Sequence, residues 1–342
     1  MSQFCVVLSD SPNAALREQG NFLYRFLKLF VGGEQVLLLR PEQFPLANSV
    51  QVENVLMAVP TRLSPGQLQG LLFKRLCVFD FDDGLNPCWE YTERSAWQAA
   101  AAMFLKTSRN QAERDGIKIG LLPVILPEKM SRFLGGFWYQ IYFLRLGLHK
   151  RPGRFKYDVG FLGKATNLSG PNYVYDQRVE WLKEIKTMAP MKFWGGLQDL
   201  PYISRAELAG RHGPVDDLFF AQGEKAFGQY FKKMCQCKVA LVPAGHARWT
   251  YRHVEAMYSM SVIVSTQLQG HETLIPVTEA TLNYVPDHQP LAPVLNVISA
   301  NWNRHFGQAI KNYAFIEGYL AHGSYAKGRP KIFERFCAQL PA

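Results

Sequence analysis

Residues Lys238 to Val264 read KVALVPAGHARWTYRHVEAMYSMSVIV, and this stretch decides the fold. An apolar run, Val239 to Val242, stops at Pro243; a turn with Gly245 follows. A helix-like segment then carries Arg252, Glu255 and Ala256, and a second apolar run spans Ser261 to Val264. Strand, glycine turn, helix and strand make the parallel β-α-β unit of an open α/β sheet. Such sheets bind ligands at the carboxyl ends of their strands, where this turn lies. The turn holds His246, Arg248 and Tyr251 beside Arg252, at a helix amino terminus whose N–H groups and dipole favour anions. Glu255, one turn into the helix, can accept hydrogen bonds from a diol. An anion site next to a diol acceptor suits a nucleoside diphosphate with its ribose.

The same residues carry a family likeness. The stretch resembles the nucleotide-sugar motif of the exostosin-like glycosyltransferases and, more loosely, of other GT-B enzymes. The shared pattern is a strand, Pro-x-Gly, six variable residues, Arg-x-x-Glu/Asp-Ala and a hydrophobic strand; Pro243, Gly245, Arg252, Glu255 and Ala256 match it without a gap. Two positions depart: Met260-Ser261 replaces a small residue and cysteine, and Ile263 a proline. The resemblance implies a GT-B architecture, two Rossmann-like α/β domains facing a cleft with C-terminal helices crossing back.

Composition agrees with a chain of that size. The 342 residues suit two domains, and 48% hydrophobic content suffices for sizeable cores. A formal charge of +10 asks for an anionic partner, whether nucleotide, acidic glycan, phospholipid or nucleic acid. Six cysteines without framework spacing read as reduced thiols of a cytoplasmic protein. The start, MSQFCVVLSD, has no basic stretch followed by an apolar core, and no apolar run approaches the roughly 20 residues that span a bilayer. The aromatic stretch FLGGFWYQIYFLRLGL, from Phe133 to Leu148, reads either as a buried helix or as a peripheral membrane contact.

Strand-helix alternation runs through both halves. Strands are expected at 4–8, 34–39, 52–58, 76–81 and 120–126, with helices at 20–30 and, in an alanine-rich stretch, at 97–108. The basic, Pro- and Gly-marked segment HKRPGRFKYD, His149 to Asp158, divides the chain. Residues 1–150 are expected to form an acceptor-side domain, 151–320 the donor domain, and 321–342 a helix packing back on the first. In the donor half, strands are expected at 157–163, 191–194 (ending at Gly195-Gly196) and 282–285. Helices are expected at 176–187, 223–235 and 297–320.

Four further groups bear on chemistry. Asp80, Asp82 and Asp83 in VFDFDDG fit three readings: a divalent-metal site of a GT-A glycosyltransferase, an acidic turn facing a GT-B cleft, or a capping turn. In the second, Asp82 and Asp83 supply the general base for an acceptor hydroxyl. Gly163-Lys164 resembles the GT-B turn that approaches the donor phosphates, and Arg178 an arginine that follows it. Trp194-Gly195-Gly196 suits a base-binding wall or plain packing. Gly270-His271-Glu272 suits contact with the donor sugar.

These readings converge on an enzyme that moves a sugar from a nucleoside diphosphate, UDP first, to a hydroxyl of a glycan or glycolipid. By resemblance the transfer is inverting, needs no metal or other cofactor, and relies on Arg252 and Arg248 for the departing diphosphate. A basic protein binding nucleic acid or another polyanion without chemistry is the alternative from another class. It asks for stripes of cations and aromatics, which only residues 145 to 156 resemble, so no nucleic-acid partner is expected.

Overall fold

The structure is a computed structural model of the chain. It describes residues 2–10, 14–40, 42–43, 50–58, 60, 63–68, 70–80, 94–123, 153, 155–165, 176–188, 190–199, 203–220, 227–245, 248–268, 270–275, 282–319 and 331–341. The acidic-turn residues Asp82 and Asp83, the loop residue His246, the aromatic stretch 133–148 and most of the basic linker lie outside these. The chain divides into two compact units: Met1–Glu128 with Gly270–Pro276 and Gly318–Ala342, and Lys129–Gln269 with Val277–Glu317.

The first unit opens with β1 (Ser2–Val7), α1 (Ala14–Val31), β2 (Val36–Leu39), β3 (Val50–Ala58) and β4 (Leu71–Asp80). It continues through α2 (Arg94–Ala100), β5 (Met103–Lys106), β6 (Ser108–Arg109), β7 (Glu113–Arg114) and β8 (Ile117–Leu121). The sheet order is β2-β1-β3-β4-β5-β8-β7, parallel except for β7. Valines, leucines and cysteines fill both faces, as a two-sided parallel sheet requires. The expected alanine-rich helix ends at Ala100, because Met103 to Lys106 is buried as a strand between β4 and β8. Burial there outweighs helix propensity.

The second unit contains β9 (Tyr157–Lys164), α3 (Gln177–Thr187), β10 (Phe193–Gln198), α4 (Arg205–His212), α5 (Phe227–Met234), β11 (Cys237–Val242), α6 (Tyr251–Ser259) and β12 (Val262–Thr266). After β12 the chain returns to the first unit as β13 (Glu272–Thr273), then resumes with β14 (Asn283–Val285), α7 (Ala292–Ala300) and α8 (Trp302–Tyr319). The sheet is parallel, in the order β10-β9-β11-β12-β14. A parallel bridge from Leu197 to Phe219 adds a vestigial strand beyond β10. Counting it, the order is the doubly wound 3-2-1-4-5-6, and the switch falls between β9 and β11.

Two details correct the sequence expectations. The helix expected over 297–320 is two helices parted at Asn301, which closes α7. The strand expected to stop at Gly195-Gly196 runs through both glycines to Gln198. Gly195 (φ 103°) packs so tightly that a Cβ there would lie 1.8 Å from the Phe161 carbonyl oxygen. Residues α9 (Lys331–Gln339) close the first unit: Phe333 stacks on Phe30 of α1 at 4.9 Å, and the Leu121 amide donates to Gln339 Oε1 at 2.6 Å.

Candidate active site

The carboxyl ends of β9 and β11 are tied together by buried polar side chains. Arg178, at the start of α3, donates from Nε to Ala244 O (3.1 Å) and from Nη1 to Lys164 O (2.5 Å). Gln177 Oε1 accepts from the Ala244 amide (3.0 Å) and from Thr266 Oγ1 at the end of β12. Gly245 is glycine for a visible reason: a Cβ would meet Arg178 Nη2 at 2.6 Å. Arg178, buried at 7% exposure, therefore shapes the turn from within.

The turn leads into α6, whose N-cap residue Thr250 is bonded back by the His253 side chain at the third helical position. Thr250 Oγ1 is buried without a hydrogen-bond partner. Behind it, His253 Nδ1 accepts from the Thr250 amide (3.2 Å), and its Nε2 lies 2.7 Å from Ser265 Oγ. Nδ1 also lies 3.0 Å from Thr250 O, and Ser265 Oγ donates to Thr266 O (2.9 Å). Trp249 stacks on this imidazole at 4.5 Å. His253 is a fully buried strut whose role the sequence did not single out.

Arg252 and Glu255 sit at the switch point, one turn apart on α6. Arg252 Nη1 donates to Leu162 O (2.5 Å), and a Cβ on Gly163 would touch Nη2 at 3.2 Å. The guanidinium lies 5.6 Å from the Phe161 ring and 5.9 Å from the Tyr251 ring. Glu255 is 3% exposed, and its Oε2 accepts from the Tyr230 hydroxyl of α5 at 2.8 Å. Burial raises the Glu255 pKa, opposed by the Arg252 charge and the Tyr230 hydrogen bond. Burial also works against the Arg252 charge, but Tyr230, Tyr251 and Glu255 outweigh it and hold the group cationic. Tyr230 itself is pushed well above the ordinary phenol range, by burial first and then by Glu255.

The structure thus brings Gly163, Arg252 and Glu255 together, with Gly245 beside Arg178 at the next strand end. Lys164, ending β9, and Tyr251, opening α6, are both exposed. Arg248 has another task. Its guanidinium makes a bidentate pair with Asp287 (2.8 and 2.7 Å) and donates to Gln267 O (2.9 Å), with 9% of its side chain exposed. These contacts hold the loops after β11, β12 and β14 together, a bracing task that the sequence did not show. Trp194 is a packing tryptophan against Phe220 and Tyr230.

Of the acidic cluster, Asp80 lies within the described residues. That carboxylate is fully buried and pairs with Lys106 Nζ at 2.8 Å, across β4 and β5. Among the described residues no group of three His, Cys, Asp or Glu is placed to hold a metal ion. Glu272 pairs with Arg109 (2.8 Å) within the first unit, in the β13–β6 ladder. No described helix is long and apolar enough to cross a membrane. Tyr230 went unnoticed in the sequence, where it reads as one member of α5's apolar stripe with Phe231 and Met234.

No family model matches the chain, and no curated protein does. Solved structures do. HepE from Anabaena, in complex with UDP, superposes with a TM-score of 0.57 at 11% identity, over 99% of this chain and 98% of that one. An α-glucosyltransferase in complex with UDP and a DNA 13-mer containing an HMU base gives 0.57 at 11%, over 98% and 100%. A glycosyltransferase from Rickettsia africae gives 0.57 at 9%, over 98% and 97%. The fold is that of the GT-B glycosyltransferases.

Proposed function

We propose that the chain is a glycosyltransferase that takes a UDP-sugar and passes the sugar to a hydroxyl of a glycan or glycolipid acceptor. The observation that carries the reading is the Arg252–Glu255 pair at the β9/β11 switch point, in a fold shared with UDP-bound enzymes. The diphosphate lies against the start of α6, with Arg252 and the exposed Lys164 as cationic partners. Gly163, without a side chain, lets it approach the backbone. Glu255 accepts from the ribose diol. As the glycosidic bond to the diphosphate breaks, negative charge grows on the leaving oxygen, and fixed cations aimed at that charge lower the barrier.

The exostosin likeness adds an inverting single displacement without an obligatory metal. Asp82 and Asp83, assigned on sequence pattern alone, take the proton of the acceptor hydroxyl. Peripheral contact with a membrane carrying a lipid-linked acceptor belongs to the same reading. The net charge of +10 and the DNA-bound α-glucosyltransferase favour a second reading that keeps the donor and changes the acceptor to a hydroxyl on DNA.

Calorimetry with UDP, GDP and ADP, with and without manganese, tests the donor. Metal-independent micromolar binding of UDP alone is expected, and Arg252→Ala should cut turnover by a hundredfold or more, about 3 kcal/mol of transition-state stabilisation. Near-wild-type turnover of Arg252→Ala would sink the assignment. Radiolabelled transfer from a UDP-sugar panel onto glycans and onto hydroxymethylated DNA separates the two acceptor readings.

A further inference from the structure

We propose that Tyr230 is the positioning residue of the donor site: its hydroxyl holds the Glu255 carboxylate in the orientation from which a ribose diol is gripped. The inference deepens the nucleotide reading above and rests on it for the identity of the ligand. The geometry stands without it.

Glu255 is a carboxylate with almost no water contact, and no ion pair with it forms among the described residues. A side chain of this length would ordinarily rotate toward solvent. Tyr230 reaches it from a different helix, α5, and the two are 25 residues apart in the chain. The phenol ring is itself clamped by Trp194 of β10 at 6.0 Å and Phe227 at 5.8 Å. The hydroxyl position is therefore set by packing, and it fixes Oε2. A carboxylate has about four acceptor positions on two oxygens, and Tyr230 takes one. The remaining ones suffice for both hydroxyls of a vicinal diol.

The phenol also decides when Glu255 can accept. Burial favours the protonated acid, which offers fewer acceptor positions, whereas the Tyr230 hydrogen bond and the Arg252 charge favour the carboxylate. The ionisable groups acting on Glu255 are Arg252, on its own helix, and Tyr230, from α5; Tyr251 acts on both of those. Losing the hydroxyl moves Glu255 toward its protonated form, and the diol grip should then fail at a higher pH than in the wild type.

The test compares wild type with Tyr230→Phe, which keeps the ring that packs on Trp194 and Phe227. Protein labelled with carbon-13 at the glutamate carboxyl, with Glu255→Gln to assign the signal, reports the Glu255 titration directly without ligand. Its midpoint should rise by about one pH unit or more in Tyr230→Phe, the size of one hydrogen bond lost from a charged group. UDP affinity at pH 7 should fall about three- to tenfold, while inorganic pyrophosphate, which has no diol, stays within about twofold. Titration of phosphate oxygens is common to both proteins and cancels in the comparison. An unchanged midpoint overturns the inference whatever UDP does, and so does an equal loss for UDP and pyrophosphate. A raised midpoint in a protein whose wild type ignores UDP supports the role of Tyr230 and overturns the donor reading instead.

Discussion

Removing the Asp287 carboxylate strands Arg248 in a place where little water reaches it. The pair is bidentate, with 9% and 21% of the two side chains exposed, and Gln267 O is the third partner of the guanidinium. Asp287→Ala removes two charge-assisted hydrogen bonds and leaves the guanidinium with that carbonyl. Breaking one side of a buried pair costs about 3–5 kcal/mol. A domain of roughly this size loses about 2–4 °C of melting temperature per kcal/mol, so a fall of roughly 6–20 °C is expected. Arg248→Met should cost less, because a methionine fills the space without an unpaired charge and Asp287, partly exposed, can hydrate. Differential scanning fluorimetry with and without UDP measures both effects. If Arg248 only braces the loops, stabilisation by saturating UDP should be nearly the same in Arg248→Met and wild type. Wild-type melting with loss of the UDP effect would refute the structural role and restore Arg248 as a phosphate ligand.

Three further outcomes follow from the same contacts. Burial lifts the Glu255 pKa above that of an unfolded glutamate, so the stability linked to this group is greatest below the unfolded value and declines as pH rises through the folded one. Glu255→Gln should therefore melt higher than wild type at pH 8, with the gap closing as pH falls below the unfolded value, while UDP binding drops by about 1.5–3 kcal/mol; a variant that melts lower at pH 8 would contradict this. Asp80→Asn neutralises the carboxylate that faces the buried Lys106 ammonium and should cost about 3–5 kcal/mol, partly restored by adding Lys106→Met, as chemical denaturation would report. Manganese should rescue neither variant. Gly195→Ala sets a Cβ 1.8 Å from Phe161 O at φ 103° and should part β9 from β10; soluble protein of wild-type melting temperature would disprove that packing.

The strand-turn-helix-strand of residues 238–264 was legible because its cues are local: apolar runs, a proline stop, a glycine and a helix within reach of one another. Arg252 and Glu255 were found for the same reason. What escaped were partners set by sheet order. Lys106 meets Asp80 only because β5 lies beside β4, and their separation of 26 positions carries no sign of it. Arg248 meets Asp287 across 39 residues, through loops that follow three different strands. Tyr230 shares its stripe with Phe231 and Met234, and only its hydroxyl distinguishes it from them. The alanine-rich segment shows the opposite failure, in which a clear local preference yields to a buried strand position.

The helix that closes the first unit has a consequence for how the protein is made. Leu121 of β8 and Gln339 of α9 are bonded across 218 residues. At a synthesis rate of about 5–20 residues per second, the ribosome needs roughly 10–40 s to travel that distance. Throughout that interval the nascent first sheet lacks its Phe333 cover, and Phe26 and Phe30 of α1 face whatever else is nearby. The N-terminal half is thus long-lived as an unfinished intermediate with an open aromatic face, and expression of residues 1–128 alone would yield that intermediate permanently.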